Sequence, residues 1–286
     1  MMAADCEIGG GPFGKDFRPT PRSSISRSEL SALDPLYTQY QDFLTFRADI
    51  FEDQLDYDTD KFPLQSKTRE KLDSIVDVLT PFEIQSFINL TQSDENKLHY
   101  GHNTGLFLSR LISLSHESGN NDFVMDLRGL KPIDYVGYNL IEKEDQTLRI
   151  LVRGTIGYHG MYKVEGGIYY IEESAYCLAQ LAKNITLYAN NTNDHCGVNS
   201  RKSFFYIKSV DKLVELYSRH SIECVYYEHE PGFNFGQFDR RSTYHVVKAT
   251  HPLPDPDFPN CHQLDLSEWE KLWQPAEDVF TRGGFQ

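Results

Sequence analysis

Long apolar runs are what this sequence most plainly lacks. A membrane helix needs roughly 18 to 20 apolar residues in succession, and the best stretch here, Leu106-Phe107-Leu108, is cut short by Arg110. Met1-Met2-Ala3-Ala4 meets Asp5 and Glu7 with no apolar segment behind it, so no secretory leader is expected and the location read from the sequence is cytoplasmic. Positive charge is scarce as well: 28 basic residues stand against 42 acidic ones, a net charge of −14. Such a field repels polyanions and argues against nucleic acid or an anionic membrane as a partner. The densest basic pairs, Arg201-Lys202 and Arg240-Arg241, are short enough to be solvated charges. The five cysteines are odd in number and scattered, with no CxxC pair, which fits thiols in a reducing compartment and excludes a disulfide frame or zinc knuckle.

The common catalytic signatures are missing too. The chain has no GxxxxGK[ST] phosphate loop, no GxSxG elbow and no HExxH. None of the ten histidines stands two residues from an Asp or Glu as a facial triad requires, and His99 and His102 alone give only HxxH, so no metal site is expected. The acidic stretch 52–60 lacks the glycine and terminal glutamate of a calcium loop.

Aromatic residues are plentiful, with 17 Tyr and 18 Phe, and tyrosines suit clefts and interfaces because the ring buries while the hydroxyl seeks a partner. Periodicity divides the chain into four parts. Residues 1–28, rich in Gly, Pro, Ser and Arg, read as a disordered tail. Residues 29–118 read as a helical region, with apolar faces over 28–50, 66–79 and 104–115, and a capping box at Thr80-Pro81-Phe82-Glu83 that opens a helix ending near Thr91. Residues 119–250 read as a mixed sheet with interleaved helices: a hairpin of 134–140 and 147–153, then strands at 168–171, 185–189, 204–208, 222–228 and 244–248. The helices between them are expected over 172–183, on Ala175, Leu178, Ala179 and Ala182, and over 210–219. Residues 251–286 read as an extended proline-rich segment and a short helix at 264–273. The fold class is therefore α+β. Strand starts at Ile150, Ile168, Ile185, Phe204 and Ile222 come at a nearly constant interval and also raise a β-solenoid. The helical spacing of the spacers and the absence of any residue type recurring from coil to coil favour strand–helix–strand units instead.

The densest cluster of chemistry-bearing residues lies between Ile150 and Ala175. Ile150-Leu151-Val152-Arg153-Gly154-Thr155 reads as a strand ending in an arginine, Gly157 to Gly167 as a glycine-rich loop, and Ile168-Tyr169-Tyr170-Ile171 as an aromatic strand. This arrangement resembles the ADP-ribosyltransferase fold, in which an Arg-Gly or His-Gly-Thr ends one strand, a Gly-Ile-Tyr strand runs into a helix, and a catalytic glutamate follows on a later strand. The resemblance covers the stretch from Ile150 to Glu228; the gap before the tyrosine strand is short, Thr155 to Gly167, and the Ser-Thr-Ser element is missing. It implies Arg153, Gly154, Thr155, Gly167 and Tyr170 as the cofactor-binding set and Arg153, Tyr169, Glu223 and Glu228 as the catalytic set, with NAD as cofactor. An arginine would hold the pyrophosphate bidentately and a glutamate would stabilise an oxocarbenium-like centre. Composition on its own points elsewhere, to an intracellular binding or adaptor protein that meets a protein partner or small molecule through its Tyr/Gly/His-rich loops.

Overall fold

The computed structural model describes residues 27–48, 66–192, 196–210, 223–230, 241–246 and 261–285. Among these, four α-helices come first: α1 (Arg27–Phe43), α2 (Ser66–Asp73), α3 (Pro81–Thr91) and α4 (Tyr100–Glu117). α3 starts where its sequence dictates, with the Thr80 side chain accepting from the Glu83 N–H and the Glu83 carboxylate answering the Thr80 N–H. The helices meet on aromatic rings. Tyr40 lies edge-on to Phe87 and Phe107, which stack on each other at 5.5 Å. Tyr40 is fully buried and shares a hydrogen bond with the Thr104 hydroxyl, and burial drives its phenol far above its ordinary range. Asn103, on α4, closes the end of α1: its amide donates to the carbonyls of Phe43 and Phe46, and its oxygen accepts from the Ala48 N–H.

Beyond α4 the chain winds. The described strands are β1 (Asp122–Asp126), β2 (Arg149–Tyr158), β3 (Ile168–Tyr176), β4 (Thr186–Thr192), β5 (Phe204–Val210), β6 (Val225–Glu230), β7 (Thr243–Val246) and β8 (Cys261–Gln263). Every strand pairs in parallel with its neighbours in chain order, giving one sheet β1-β2-β3-β4-β5-β6-β7-β8. Each turn of chain returns to the same station. Ile168 sits opposite Thr186 and Thr186 opposite Phe204, an identical step along the sequence, and the step lengthens where Phe204 meets Val225. The molecule is a β-solenoid, its first coil closed by α3 against β1.

This corrects the mixed sheet with interleaved helices. Among the described residues no helix joins β2 to β3, β3 to β4 or β4 to β5. The expected hairpin is replaced by turns over 134–140 and a β2 that pairs in parallel with β1. The expected helix 172–183 is strand as far as Tyr176 and then an irregular wall of the coil. Leu178, Ala179 and Ala182 are buried, and their spacing of one and three imitates a helical face. The backbone there is incompatible with a helix, because Cys177, Ala179, Leu181 and Asn184 all have positive φ, between 41° and 59°. The expected helix 210–219 lies almost wholly outside the described residues.

Strand alternation separates two cores. On β2 to β5 the inward residues, among them Ile150, Val152, Tyr169, Ile171, Leu187, Phe205 and Ile207, fill the coil and join the helical region in one apolar cluster. The outward Leu151, Tyr170 and Tyr188 are covered instead by α5 (Leu266–Arg282) through Trp269, Trp273 and Ala276. Register stacks the rings: Tyr170 on Tyr188 at 5.1 Å and Tyr188 on Tyr206 at 4.6 Å, close to the spacing of neighbouring strands. α5 runs well past its expected end, through Pro275 to a left-handed Gly283.

A polar cleft at the solenoid corner

Outward and inward residues alternate along β3 and β4 until a corner. There Glu172 and Glu173, and one coil on Asn190 and Asn191, are consecutive half-buried positions before Ser174 and Thr192 turn inward again. On β2 the same corner is made by a bulge between Val152 and Thr155, with Gly154 at φ +83°. A side chain at Gly154 would meet the Arg128 amide nitrogen at 2.8 Å, so the close pass of the two coils requires glycine. The corner borders a cleft of about 510 Å³, lined by residues 127–130, Gly154, Thr155, Glu172, Glu173, Asn190 and Asn191.

Its polar groups form a ladder, Thr155 opposite Glu173, Glu173 opposite Asn191, and Asn191 opposite Ser209. The Thr155 hydroxyl donates to Glu173 Oε2 at 2.7 Å, and the Gly154 N–H donates to Glu172 Oε2 at 2.5 Å. Asn191 Oδ1 is shielded from solvent and accepts no hydrogen bond among the described residues. At the rim Arg128 grips Asp126 with two guanidinium bonds, Nε to Oδ1 at 2.8 Å and Nη2 to Oδ2 at 2.5 Å. Burial raises the Asp126 carboxyl, but the bonds from Arg128 outweigh it and hold the group below its ordinary range.

Two of the expected site residues, Gly154 and Thr155, line this cleft; the others stand apart from it. Arg153 turns to the α5 side and donates from Nη2 to the Phe280 carbonyl at 3.1 Å, a cation at a helix C-terminus. Tyr169 is fully buried inside the coil, where its hydroxyl donates to the Gly166 carbonyl and burial pushes it well above its ordinary range. Tyr170 lies on the outer face against Phe280 and Phe285. Gly167, at φ +92°, opens β3. Glu223 occupies a left-handed position at φ 55°, its side chain 64% exposed and 3.9 Å from Lys202. Glu228 is on β6 opposite Ile207, four strands from β2, a separation of roughly 19 Å. Arg153, Tyr169 and Glu223 are thus not brought together. Arg128, Glu173 and Asn191 are not singled out by the sequence; the register that unites Glu173 and Asn191 is the signal that finds them.

Further along the same two strands, Tyr158 and Tyr176 stack at 4.5 Å and 16°, and stay 41% and 37% exposed. His159 lies edge-on to Tyr158 at 4.1 Å. Among the described residues no group of His, Cys, Asp or Glu has the geometry of a metal site, and no helix is long and apolar enough to cross a membrane. No protein family, curated protein or solved structure matches the chain.

Proposed function

We propose that this is an intracellular binding protein without catalytic machinery of its own, which uses the solenoid surface from the corner cleft to the Tyr158–Tyr176 stack as its contact face. The exposed tyrosine pair carries the reading. Its rings project into solvent, whereas the Tyr170–Tyr188 stack lies under α5 and the Phe205–Tyr226–Tyr244 stack lies inside the coil. Tyrosine supplies large contact area at small conformational cost and is enriched at interfaces. The glycines and histidine of the expected contact surface, Gly157, His159 and Gly160, adjoin Tyr158 in the chain.

The test is retention. Immobilised protein should retain a partner or small molecule from the source lysate, identified by mass spectrometry, and the Tyr158→Ala/Tyr176→Ala variant should lose it while melting normally. Equal retention by the variant would remove the tyrosine pair from the contact face. Release of nicotinamide from NAD by the wild-type chain would overturn the non-catalytic part of the reading.

A further inference from the structure

Resting on that reading, the geometry points to a ligand class for the cleft: we infer that it binds a neutral, extended polyhydroxyl chain, an oligosaccharide, laid along the solenoid axis. Three features of the lining select it. The first is the step. Thr155, Glu173 and Asn191 are in register on successive strands, so a ligand running across them meets a polar group about every 4.8 Å. An extended peptide presents equivalent side chains every ~6.6 to 6.8 Å and falls out of step within three rungs. The second is the balance of donors and acceptors. Each glutamate commits Oε2 within the fold, Glu172 to the Gly154 N–H and Glu173 to the Thr155 hydroxyl, which leaves Oε1 of both to accept, while Asn191 Oδ1 is shielded from solvent and is not offered to a ligand. A surplus of acceptors calls for a ligand rich in donors, and sugar hydroxyls donate while also accepting from the Asn190 and Asn191 amides. The third is charge. With Arg128 already held by Asp126, the two glutamates give the cleft a negative lining, which repels phosphates and uronic acids.

Calorimetric titration of the full chain with cellohexaose, maltohexaose and chitohexaose, with a galacturonic acid hexamer and hexalysine as charged controls, tests this. At least one neutral hexasaccharide should bind and the galacturonate should not. Glu173→Gln and Asn191→Ala should each weaken binding about three- to tenfold, the loss of one hydrogen bond apiece, with melting temperatures unchanged. If Asn191→Ala melts early, the near-isosteric Asn191→Asp replaces it, removing the amide donor. Binding of hexalysine alone would assign the cleft to a cationic ligand and overturn the inference, as would silence from every neutral probe at millimolar concentration. In either case a partner lost by Tyr158→Ala/Tyr176→Ala leaves the broader binding role standing, whereas equal retention by that variant removes the tyrosine pair from the contact face and leaves the cleft to be judged by the titration alone.

Discussion

Both tryptophans of the chain lie on α5, at 269 and 273, so tryptophan fluorescence reports the docking of this helix alone. Trp273 is 4% exposed, stacks with Trp269 at 5.3 Å, meets Tyr188 edge-on at 6.0 Å and donates from its ring nitrogen to Glu277. Removing a buried tryptophan costs about 3 to 5 kcal/mol, a large share of the roughly 5 to 15 kcal/mol that holds a typical domain together. The question is where the loss falls. Among the described residues the buried apolar contacts of α5 fall on the outward face of the strands, while the inward residues form a separate cluster continuous with the helical region. Trp273→Ala should therefore undock α5 and leave the coil folded. Trp269 emission should be red-shifted in buffer or at low urea, while the far-UV circular dichroism transition of the sheet keeps its midpoint within the error of the wild type. Coincident transitions, both shifted by the same amount, would refute the independence of the two cores. A shift below about 1 kcal/mol in the Trp269 fluorescence transition would refute the packing of Trp273 itself.

Three further outcomes rest on single positions. Alanine normally favours a helix interior over glycine by up to about 1 kcal/mol, but a Cβ on Gly105 of α4 would lie 1.6 Å from the Asp134 carbonyl oxygen, so Gly105→Ala should destabilise by at least about 3 kcal/mol in urea titration. Lys202 sits at φ 50°, where glycine escapes the Cβ clash, and its 3.9 Å pair with Glu223 is too exposed to contribute much; Lys202→Gly should raise stability by about 0.5 to 1 kcal/mol, and a loss would contradict the left-handed corner. Burial holds the Asp134 carboxyl above its ordinary range, opposed in part by the Tyr158 N–H bond and His102. The folded state therefore keeps its proton more tightly than the unfolded chain, and this contribution, full below the unfolded pKa of about 3.9, is lost as pH rises through the folded value. Asp134→Asn, which can still accept from Tyr158, should thus melt higher than wild type at neutral pH and no higher near pH 3.

What is legible in the sequence depends on how local the cause is. The capping box at Thr80 and Glu83 spans a single helical turn and is read directly. Several strand positions are legible from β-branched and aromatic runs, because a strand buried on both faces announces itself by composition. The wall between strands is not, since Leu178, Ala179 and Ala182 repeat at helical spacing for a reason foreign to a helix. The second half of α5 is hidden by Pro275, which the helix tolerates. The sequence argument against the solenoid, that no residue type recurs from coil to coil, fails at one station, where Tyr170, Tyr188 and Tyr206 stand in register on three successive strands, and the backbone conformation recurs as well. Gly166, Asn184, Lys202 and Glu223 hold corresponding stations on successive coils, at φ 74°, 55°, 50° and 55°. A backbone can repeat while its side chains vary, because tertiary packing meets the cost of a left-handed lysine that local propensity would refuse.

The same principle explains why the cleft is half visible. Gly154 and Thr155 stand out as a glycine-bearing strand end, a feature of the chain's own neighbourhood. Glu173 and Asn191 belong with Thr155 only through the repeat of the coil, which exists once the coils stack. The corner then does what a flat strand cannot. A regular strand sends alternate residues outward, so a face covered by α5 leaves little to solvent. At the corner two consecutive side chains face out on each coil, and stacking places them in rows: Glu172 beside Glu173 and Asn190 beside Asn191. The polar row is thus a consequence of how the chain turns. The interior beneath it is closely buried, with Ile171, Ala189 and Ile207 before the corner and Ile156, Ser174 and Thr192 in register after it, so the outward polar residues can vary without disturbing the inward row that positions them.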